Sequence, residues 1–534
     1  MLRRFASETW IAIVLVAFGA ILMASNPWFT PVDDEIAIID VAARPAFARM
    51  KLFLSGGGQH EHPPLSDLIL HGWLRLTNGN IHLLRLRSVV FYLLGAWFLV
   101  QAAHRMAGER ARNYTLILLL LWPYGFQLGR LAGWYSVTFL LVSLLTLVYL
   151  KYIERPSSRT WMPVVLCALA LVDTDYFGWA VLGFLGLDLL LRSGRERRTW
   201  LLLLATGIFL MVASIPVMRA LVTQLHTGTV AGRASSPVAT GIYNLYCLFV
   251  SESVAPWFWV LGVAAGLAIA CVLLLVLVYA KPEARRFFVY FAALLAVMTF
   301  LEIVTPRRTL MISPWLILPI GTTLGTMALP SARRWLAGSP ILVGAIGWYG
   351  ILSRKPYAAP HWTEPWDQVA REAAGNGGIV IGNNPSFFFC LTNLTPSTNP
   401  ETKGYFAGLL PGTSHAPNVC TPQQWISAGS PATRTVAVFD GLSFGVPGPS
   451  LGEIRAALSA RCKPLGKQDL VRDTEANWKQ EYQPTTGQRL WRITVVPFGC
   501  ATRCCFQIIA KVFNHHRDRE AAGAEAPPFP VSCL

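Results

Sequence analysis

The chain has 534 residues, of which 53% are hydrophobic and only 14% are charged, and its formal net charge is +16. A soluble protein usually carries about a quarter charged residues, so this composition excludes an ordinary soluble domain and indicates a membrane protein. The basic excess would favour nucleic-acid binding in a soluble protein, but here it lies between apolar runs, where basic residues set orientation in the membrane.

Eleven apolar runs along the chain are candidates for membrane-spanning segments. A helix needs about 20 mostly apolar residues to cross a bilayer. The first run follows Met-Leu-Arg-Arg and has no clear cleavage site, so we interpret it as an uncleaved helix. The pattern predicts an α-helical polytopic membrane protein with about 11 transmembrane helices. The runs lie at residues 9–26, 87–104, 112–127, 132–152, 160–174, 176–191, 199–219, 256–280, 286–304, 309–329 and 335–353.

Basic residues concentrate in every second connection between these runs. Because positively charged connections stay in the cytoplasm, the N-terminus and this basic series are predicted to be cytoplasmic. The alternate connections, and everything after residue 354, are then predicted to lie outside the membrane. The basic series comprises Arg3 and Arg4; Arg105, Arg110 and Arg112; Lys151, Arg155 and Arg159; Arg192, Arg195, Arg197 and Arg198; Lys281, Arg285 and Arg286; and Arg333 and Arg334.

The first outside connection, residues 27–86, is long, and helical spacing of its apolar residues predicts helices near 34–54 and 64–77. It opens with three consecutive carboxylates. They can act as a general base or a cation site, because neighbouring carboxylates raise one another's pKa. The alternative is a helix N-cap, with acidic residues favoured in the first turn. The three residues are Asp33, Asp34 and Glu35.

The same connection continues with His60, Glu61 and His62, followed by two prolines. A His-x-His pair beside an acid can bind a metal, but in a loop this pattern is a weak signal and the alternative is a polar turn.

Several arginines fall in the predicted outside series, against the orientation rule. A guanidinium group suits phosphate, which it binds through two parallel hydrogen bonds. The alternative for each is snorkelling to lipid headgroups. Convergence of several arginines on one cavity would favour phosphate binding. They are Arg85, Arg87, Arg130, Arg307 and Arg308.

The turn Asp173–Asp175 joins two apolar runs of only about 15 residues, which are short for a bilayer about 30 Å thick. The turn can therefore lie below the membrane surface, where acidic residues face protein or water and are functional candidates. Alternatively, the helices extend into their polar flanks and the turn lies at the surface.

The composition changes near residue 354, where Pro, Asn, Thr and Gly become more frequent. We therefore divide the chain into a transmembrane domain (1–353), a small α/β extracytoplasmic domain (354–499) and a tail (500–534) predicted to be disordered. Within the α/β domain, short apolar runs predict strands and helices. The strands are Gly378–Gly382, Thr435–Phe439 and Trp491–Val496, and the helices are Asp367–Ala374 and Leu451–Ser459.

The motifs taken together resemble the GT-C glycosyltransferases, over about residues 10–330. The group most similar to this pattern is the bacterial branch related to protein O-mannosyltransferases and the aminoarabinose transferase, which includes the rhizobial galacturonosyl transferases. The family often has Arg-Tyr in place of Arg307-Arg308 and His-Tyr in place of Asp175-Tyr176. The matching stretches are Asp33-Asp34-Glu35, His62-Pro63-Pro64-Leu65, Arg85-Leu86-Arg87-Ser88, Gly129-Arg130-Leu131-Ala132-Gly133-Trp134-Tyr135, and Pro306-Arg307-Arg308 with Pro314 beyond.

The resemblance implies a GT-C-like fold and an inverting transfer of sugar from a polyprenyl-phosphate donor to an acceptor on the outer face of the inner membrane. Positions in the motifs imply Asp34 as the base, with Asp33 as its competitor. They also imply His62 as a neighbouring polar contact, and Arg87, Arg130 and Arg307 as phosphate contacts. Some family members use a divalent cation, for which Glu35 or Asp175 would be a ligand. Tyr135 and Arg308 belong to the same motifs and complete the predicted substrate-binding set.

Two other functions compete with this interpretation. A lipid or anion transporter would also use buried charges, but transporters commonly contain paired repeats with broken helices, and none is visible in the sequence. A non-catalytic scaffold leaves the carboxylate cluster and the outside arginines without a purpose. The expected partners are therefore a polyprenyl-phosphate sugar, membrane lipids and a cell-envelope acceptor (lipid, polysaccharide or protein), and no nucleic acid.

Overall fold

The computed structural model forms two compact units. The first comprises residues 1–29, 41–362 and 478–483, and the second comprises 30–40, 363–477 and 484–534. In the helical part the structure describes residues 2–26, 63–77, 81–193, 196–227, 237–254, 259–300, 306–327 and 334–353. It also describes Glu35, Ile38, Ile39, Ala42 and Phe47. Toward the C-terminal end it describes residues 379–382, 404–406, 419–420, 434–440, 462–465, 468–471 and 492–500.

The first unit is helical throughout its described residues. Its helices are α1 (Leu2–Ala24), α2 (Pro64–Thr77), α3 (Ile81–Leu121), α4 (Pro123–Leu128), α5 (Tyr135–Glu154), α6 (Ser158–Val172), α7 (Gly178–Ser193), α8 (Arg197–Ala213), α9 (Ile215–Thr227), α10 (Pro237–Val250), α11 (Trp259–Tyr279), α12 (Pro282–Phe300), α13 (Pro314–Thr326) and α14 (Arg334–Ser353). Two short 3-10 helices, Ser251–Ser253 and Pro306–Ile312, follow α10 and α12. The helix predicted at 64–77 is confirmed as α2.

Helix α3 joins two of the predicted spans. It is broken at Gly108, which has φ 81° and ψ −165°. Only glycine adopts a positive φ of this kind without steric cost, so the chain can reverse there within a continuous run of helical residues. Beside the break, Arg105 forms an ion pair with Glu154 at the end of α5. The basic connection predicted between 104 and 112 is therefore a sharp break in a helix.

Three helices among the described residues are long and apolar enough to cross a membrane by themselves: His82–Leu121, Tyr135–Glu154 and Val260–Tyr279. A fourth span is possible if Arg197–Ala213 and Ile215–Val222, which are bent by 68° at their junction, count as one. Glu8–Ala24, Ser158–Val172 and Gly338–Ser353 are shorter apolar helices. The total of eleven spans therefore stays a prediction.

The core of the helical unit forms around α3, which packs against both α5 and α13. The contact with α13 is close because it uses glycine: a Cβ atom at Gly325 would collide with the backbone of Ala111. Small residues at such crossings let helix backbones approach, which increases dispersion contacts where lipid weakens the hydrophobic effect. Trp315 on α13 is fully buried, and its indole Nε1 donates to Thr146 Oγ1 of α5 at 2.9 Å.

A buried carboxylate ties three helices together. Asp188 on α7 accepts hydrogen bonds from the hydroxyl groups of Tyr149 on α5, at 2.7 Å, and Tyr290 on α12, at 2.8 Å. Arg192 Nε donates to the same carboxylate at 2.7 Å, and Arg286 Nη1 lies 3.5 Å from it. The buried carboxylate is therefore both ion-paired and hydrogen-bonded, which offsets the free-energy cost of removing its charge from water.

The second unit contains a seven-stranded mixed sheet. Its strands are β1 (Ile379–Gly382), β2 (Gly404–Phe406), β3 (Val419–Cys420), β4 (Arg434–Asp440), β5 (Cys462–Pro464), β6 (Gln468–Val471) and β7 (Arg492–Cys500). The order is β3-β2-β1-β4-β7-β5, with β6 also paired to β7. Strands β1 to β4 are parallel, and β7 runs antiparallel to β4, β5 and β6.

The three strands expected from apolar runs in this part of the sequence correspond to β1, β4 and β7. The helices expected at Asp367–Ala374 and Leu451–Ser459, and the tail after residue 500, lie outside the described residues. The placement of the sheet on the outer side of the membrane stays a prediction.

Candidate active site

The predicted site residues divide into those the structure describes and those it does not. Asp33, Asp34 and His62 lie outside the described residues. Glu35 is described and buried, and its chain segment belongs to the second unit. The remaining predicted residues, Arg87, Arg130, Tyr135, Asp175, Arg307 and Arg308, all lie in the helical unit.

Arg87, near the start of α3, and Arg130, in the connection between α4 and α5, both make hydrogen bonds at that connection. Arg87 Nη2 donates to Gly133 O at 2.8 Å, and Arg130 Nη1 donates to Ser25 Oγ at the end of α1, at 2.9 Å. The guanidinium of Arg130 also lies 4.8 Å from the ring centroid of Phe126. Both side chains are at most 1% exposed. Snorkelling requires a charged end group in contact with water or headgroups, so burial excludes that alternative for these two arginines.

A second contact joins two motifs that are far apart in sequence. The backbone N–H of Leu65, at the start of α2, donates to Asp173 O in the α6–α7 turn at 3.0 Å. Leu65 is the last residue of the His-Pro-Pro-Leu motif. The structure therefore places the end of that motif against the acidic turn, as a common site requires.

Asp175 lies in that turn and is almost completely buried. Its Oδ1 accepts from the N–H of Phe177 at 2.9 Å. Burial raises the pKa of Asp175 to about 6, and the Phe177 hydrogen bond and the nearby Arg308 guanidinium offset that rise only in part. Arg308 thereby connects the acidic turn to the 3-10 helix Pro306–Ile312. A carboxyl with a pKa near neutrality can hold or release a proton under ordinary conditions.

The raised pKa of Asp175 predicts a pH-dependent stability. The pKa is about 6 in the folded protein and about 3.9 in the unfolded chain. Stability from this group is therefore fully present below about pH 4 and is lost as the pH rises through about 6, in total on the order of 3 kcal/mol. Asp175→Asn should remove this dependence. Melting temperatures of both proteins between pH 4 and 8 test it, and parallel curves would contradict it.

Sequence reasoning missed one charged residue of the site, Glu252. It lies in the 3-10 helix Ser251–Ser253 and is 2% exposed. Its Oε2 lies 3.8 Å from Arg307 Nε, and both side chains are buried. The residue before it, Ser251, has φ 68°, a left-handed conformation that is costly for a residue other than glycine. Backbone strain of this kind often accompanies functional sites.

One tyrosine lies close to this ion pair, and a second lies close to the first. Tyr124 on α4 interacts electrostatically with Glu252, Arg307 and Tyr135. Tyr135 begins α5, and its ring centroid lies 4.5 Å from that of Trp134, with the two ring planes tilted by 35°. No motif in the sequence marks Tyr124 or Glu252, because Glu252 is the only charged residue in its stretch and Tyr124 lies in a largely apolar run.

These contacts form one connected set. It runs from Leu65 through the acidic turn to Arg308, then through Arg307 and Glu252 to Tyr124 and Tyr135, and finally to Arg87 through Gly133. Leu65, the acidic turn, Glu252, Arg307 and Arg308 lie in connections predicted to be outside, and the other members lie near the ends of the apolar runs that adjoin such connections. The set combines buried cations, which suit an anionic ligand, with carboxyl groups that can exchange protons.

Among the described residues, no group of three or more His, Cys, Asp or Glu side chains is placed to hold a metal ion. His60, Glu61 and His62 lie outside that set. A divalent cation at Glu35 or Asp175 stays a prediction.

Comparison with known proteins relates part of the chain to one protein family and its fold to solved structures. Residues 61–222 match the model of the family described as Dolichyl-phosphate-mannose-protein mannosyltransferase. The fold is similar to the crystal structure of ArnT from Cupriavidus metallidurans bound to undecaprenyl phosphate, with a TM-score of 0.52, 14% identity, and coverage of 91% of this chain and 97% of that one. It is also similar to ArnT from the same organism in the apo state, with a TM-score of 0.53, 14% identity, and coverage of 92% of this chain and 98% of that one. No curated protein matches the sequence.

These matches confirm the resemblance found in the motifs. The chain has a GT-C fold like that of ArnT, and the stretch from His62 to Asp175 lies within the part that matches the family model. The fold and the apolar helices together identify an integral membrane protein.

Proposed function

We propose that this GT-C-fold membrane protein transfers a sugar from a polyprenyl-phosphate donor to a cell-envelope acceptor on the outer face of the inner membrane. The observation that carries the proposal is the convergence of buried arginines with carboxyl groups at one connected site. Arg87, Arg130 and Arg307 are each less than 5% exposed. Burying this much positive charge is costly unless anionic groups balance it, and a donor phosphate would contribute such balance.

The chemistry needs two capacities. A base removes the proton of the acceptor hydroxyl as its oxygen attacks the anomeric carbon, and cations stabilise the polyprenyl phosphate that leaves from the opposite face. Attack opposite the leaving group inverts the anomeric centre. We assign the base to Asp34, with Asp33 as its competitor, and the phosphate contacts to Arg87, Arg130 and Arg307.

The other residues of the set would bind the remaining parts of the substrates. Tyr135, Asp175 and Arg308 belong to the connected set described above, and His62 precedes Leu65, which contacts the acidic turn. Glu35 would assist beside Asp34, either directly or through a cation. A polyprenyl-phosphate donor is supported by the similarity of the fold to ArnT, which has been crystallised with undecaprenyl phosphate.

A transfer assay tests the proposal. Purified protein is given a labelled polyprenyl-phosphate sugar together with extracted envelope lipids, polysaccharides and proteins, and the label is followed by chromatography. We expect labelled acceptor and stoichiometric release of polyprenyl phosphate. If the label crosses a vesicle membrane without being transferred, the protein is a transporter and the proposal is wrong. A glycan and lipid profile of a deletion strain would then identify the acceptor.

The proposal also requires the sheet-containing unit to lie outside. A phosphatase reporter fused after residue 360 should be active only on the outer side, because the basic connections orient the bundle with its N-terminus inside. The matched control is a fusion after Arg195, in a basic connection, where the same reporter should be inactive. Activity with the reverse pattern would contradict both the topology and the location of the site.

A further inference from the structure

The short helix α4 carries two buried polar side chains that make no hydrogen bond in the described part of the chain. Gln127 is 0% exposed, and neither its Oε1 nor its Nε2 has a partner there. Tyr124 is also 0% exposed, and its hydroxyl likewise has none. Nine-tenths or more of buried polar groups in proteins are hydrogen-bonded, so two such groups on one helical turn require an explanation.

The two side chains lie next to each other and beside the candidate active site. Residues three apart are neighbours on a helix surface, so Gln127 and Tyr124 share one face of α4. Helix α4 packs against both 3-10 helices that carry Glu252 and Arg307, and Tyr124 interacts electrostatically with both of those residues. Two more buried hydroxyl groups that have no hydrogen-bond partner among the described residues lie close by in sequence, on Ser136 after Tyr135 and on Ser251 before Glu252.

We propose that Gln127 and Tyr124 bind adjacent hydroxyl groups of the sugar that the donor carries, and that they select a neutral sugar. This inference rests on the proposed function. An amide and a phenol each both donate and accept a hydrogen bond, and so does a sugar hydroxyl. A phosphate only accepts, so it would leave Gln127 Oε1 without a partner. A prenyl chain would leave both side chains without one.

Charge in the neighbourhood also favours a neutral sugar. Glu252 and Arg307 face each other as an ion pair, so their charges largely cancel. A carboxylate on the sugar would compete with Glu252 for Arg307, and an ammonium group would compete with Arg307 for Glu252. A hydroxyl group in the same place meets donors and acceptors without excess charge.

Gln127→Met and Tyr124→Phe test the inference, because each removes polar atoms with little change in shape. With a polyprenyl-phosphate neutral hexose, kcat/KM should fall about 10- to 100-fold, since the sugar hydroxyl groups lose their partners. Binding of sugar-free polyprenyl phosphate should stay within about twofold of wild type. The melting temperature of the ligand-free protein should be unchanged or higher, because no protein hydrogen bond is lost and an unpaired buried polar group is removed.

Ser143→Ala is the matched control. Ser143 Oγ is also buried without a partner in the described bundle, but it lies two helical turns into α5. This variant should resemble the other two in stability and resemble wild type in transfer. A donor with a uronic acid and a donor with an amino sugar complete the experiment, and wild type should use both less well than the neutral hexose.

Several outcomes would overturn the inference. They are an unchanged kcat/KM in both variants, an equal loss of binding to sugar-free polyprenyl phosphate, a lowered melting temperature that indicates bonds to structural water, or a preference for a charged sugar. Failure of the proposed function gives a different pattern, in which wild type transfers no sugar from any donor, and the inference then fails with it.

Discussion

Replacing Asp34 by Asn is expected to slow sugar transfer by about 10²–10⁴-fold, the usual contribution of a general base. The substitution keeps the shape of the side chain and its capacity for hydrogen bonds but removes its negative charge and proton affinity. Binding of the donor should survive, because the proposed phosphate contacts are arginines elsewhere in the chain. Single-turnover rates with saturating donor measure the chemical step, and equilibrium binding of polyprenyl phosphate measures whether donor binding survives.

Asp33→Asn is the matched control for this prediction. If Asp34 is the base, the neighbouring substitution should have a much smaller effect, and a reversal of the two effects would assign the base to Asp33. The capping alternative predicts that both variants are nearly silent, since Asn caps a helix as well as Asp does. Transfer at the wild-type rate by Asp34→Asn would refute the assignment of the base.

Arg307→Ala is expected to weaken both donor binding and stability. From the sequence alone, a water-accessible arginine would be replaced at little cost in stability, but Arg307 is buried against Glu252. Removing one partner of a buried ion pair leaves the other charge unpaired, which costs about 3–5 kcal/mol. Loss of a phosphate contact should raise the dissociation constant for polyprenyl phosphate and slow cleavage of the bond between the sugar and the leaving phosphate.

Two further variants separate these effects. In the double variant Arg307→Ala with Glu252→Ala, no unpaired charge remains, so much of the stability should return while transfer stays low. Arg105→Ala is the control, because it breaks the exposed ion pair with Glu154, which should cost less than about 1 kcal/mol and leave transfer unchanged. A single variant as stable as wild type would contradict the structural pairing of Arg307 and Glu252.

Local patterns in the sequence predicted the parts of the fold that depend on neighbouring residues. Helical spacing of apolar residues predicted α2, and short apolar runs predicted strands β1, β4 and β7. Both patterns arise because burying a helix face or a strand requires apolar residues within a short stretch of sequence. The convergence of Arg87 and Arg130 was anticipated only as a possibility. Their partners, a backbone carbonyl of Gly133 and the hydroxyl of Ser25, are set by tertiary packing and leave no mark in the sequence.

The sequence did not predict which charged residues form contacts when they are far apart in the chain. Glu252 and Arg307 are separated by 55 positions, and the contact depends on how two 3-10 helices meet α4. A lone glutamate in an apolar stretch has no motif, although an ionisable residue within a membrane protein is itself a functional signal that could have found it. Gly108 is similar, since glycine tolerates many conformations and its sequence position does not specify a break in α3.

The carboxylate of Asp188 has a mechanical consequence for access to the site. It lies 10 residues after Gly178, where α7 begins, which is about 15 Å along the helix at 1.5 Å per residue and away from the acidic turn. Moving α5 or α12 away from α7 there would remove a tyrosine hydrogen bond from a buried anion. That end therefore resists separation of the helices, so under the proposed function the donor lipid would enter by spreading them at the end where Arg130 and Arg307 lie.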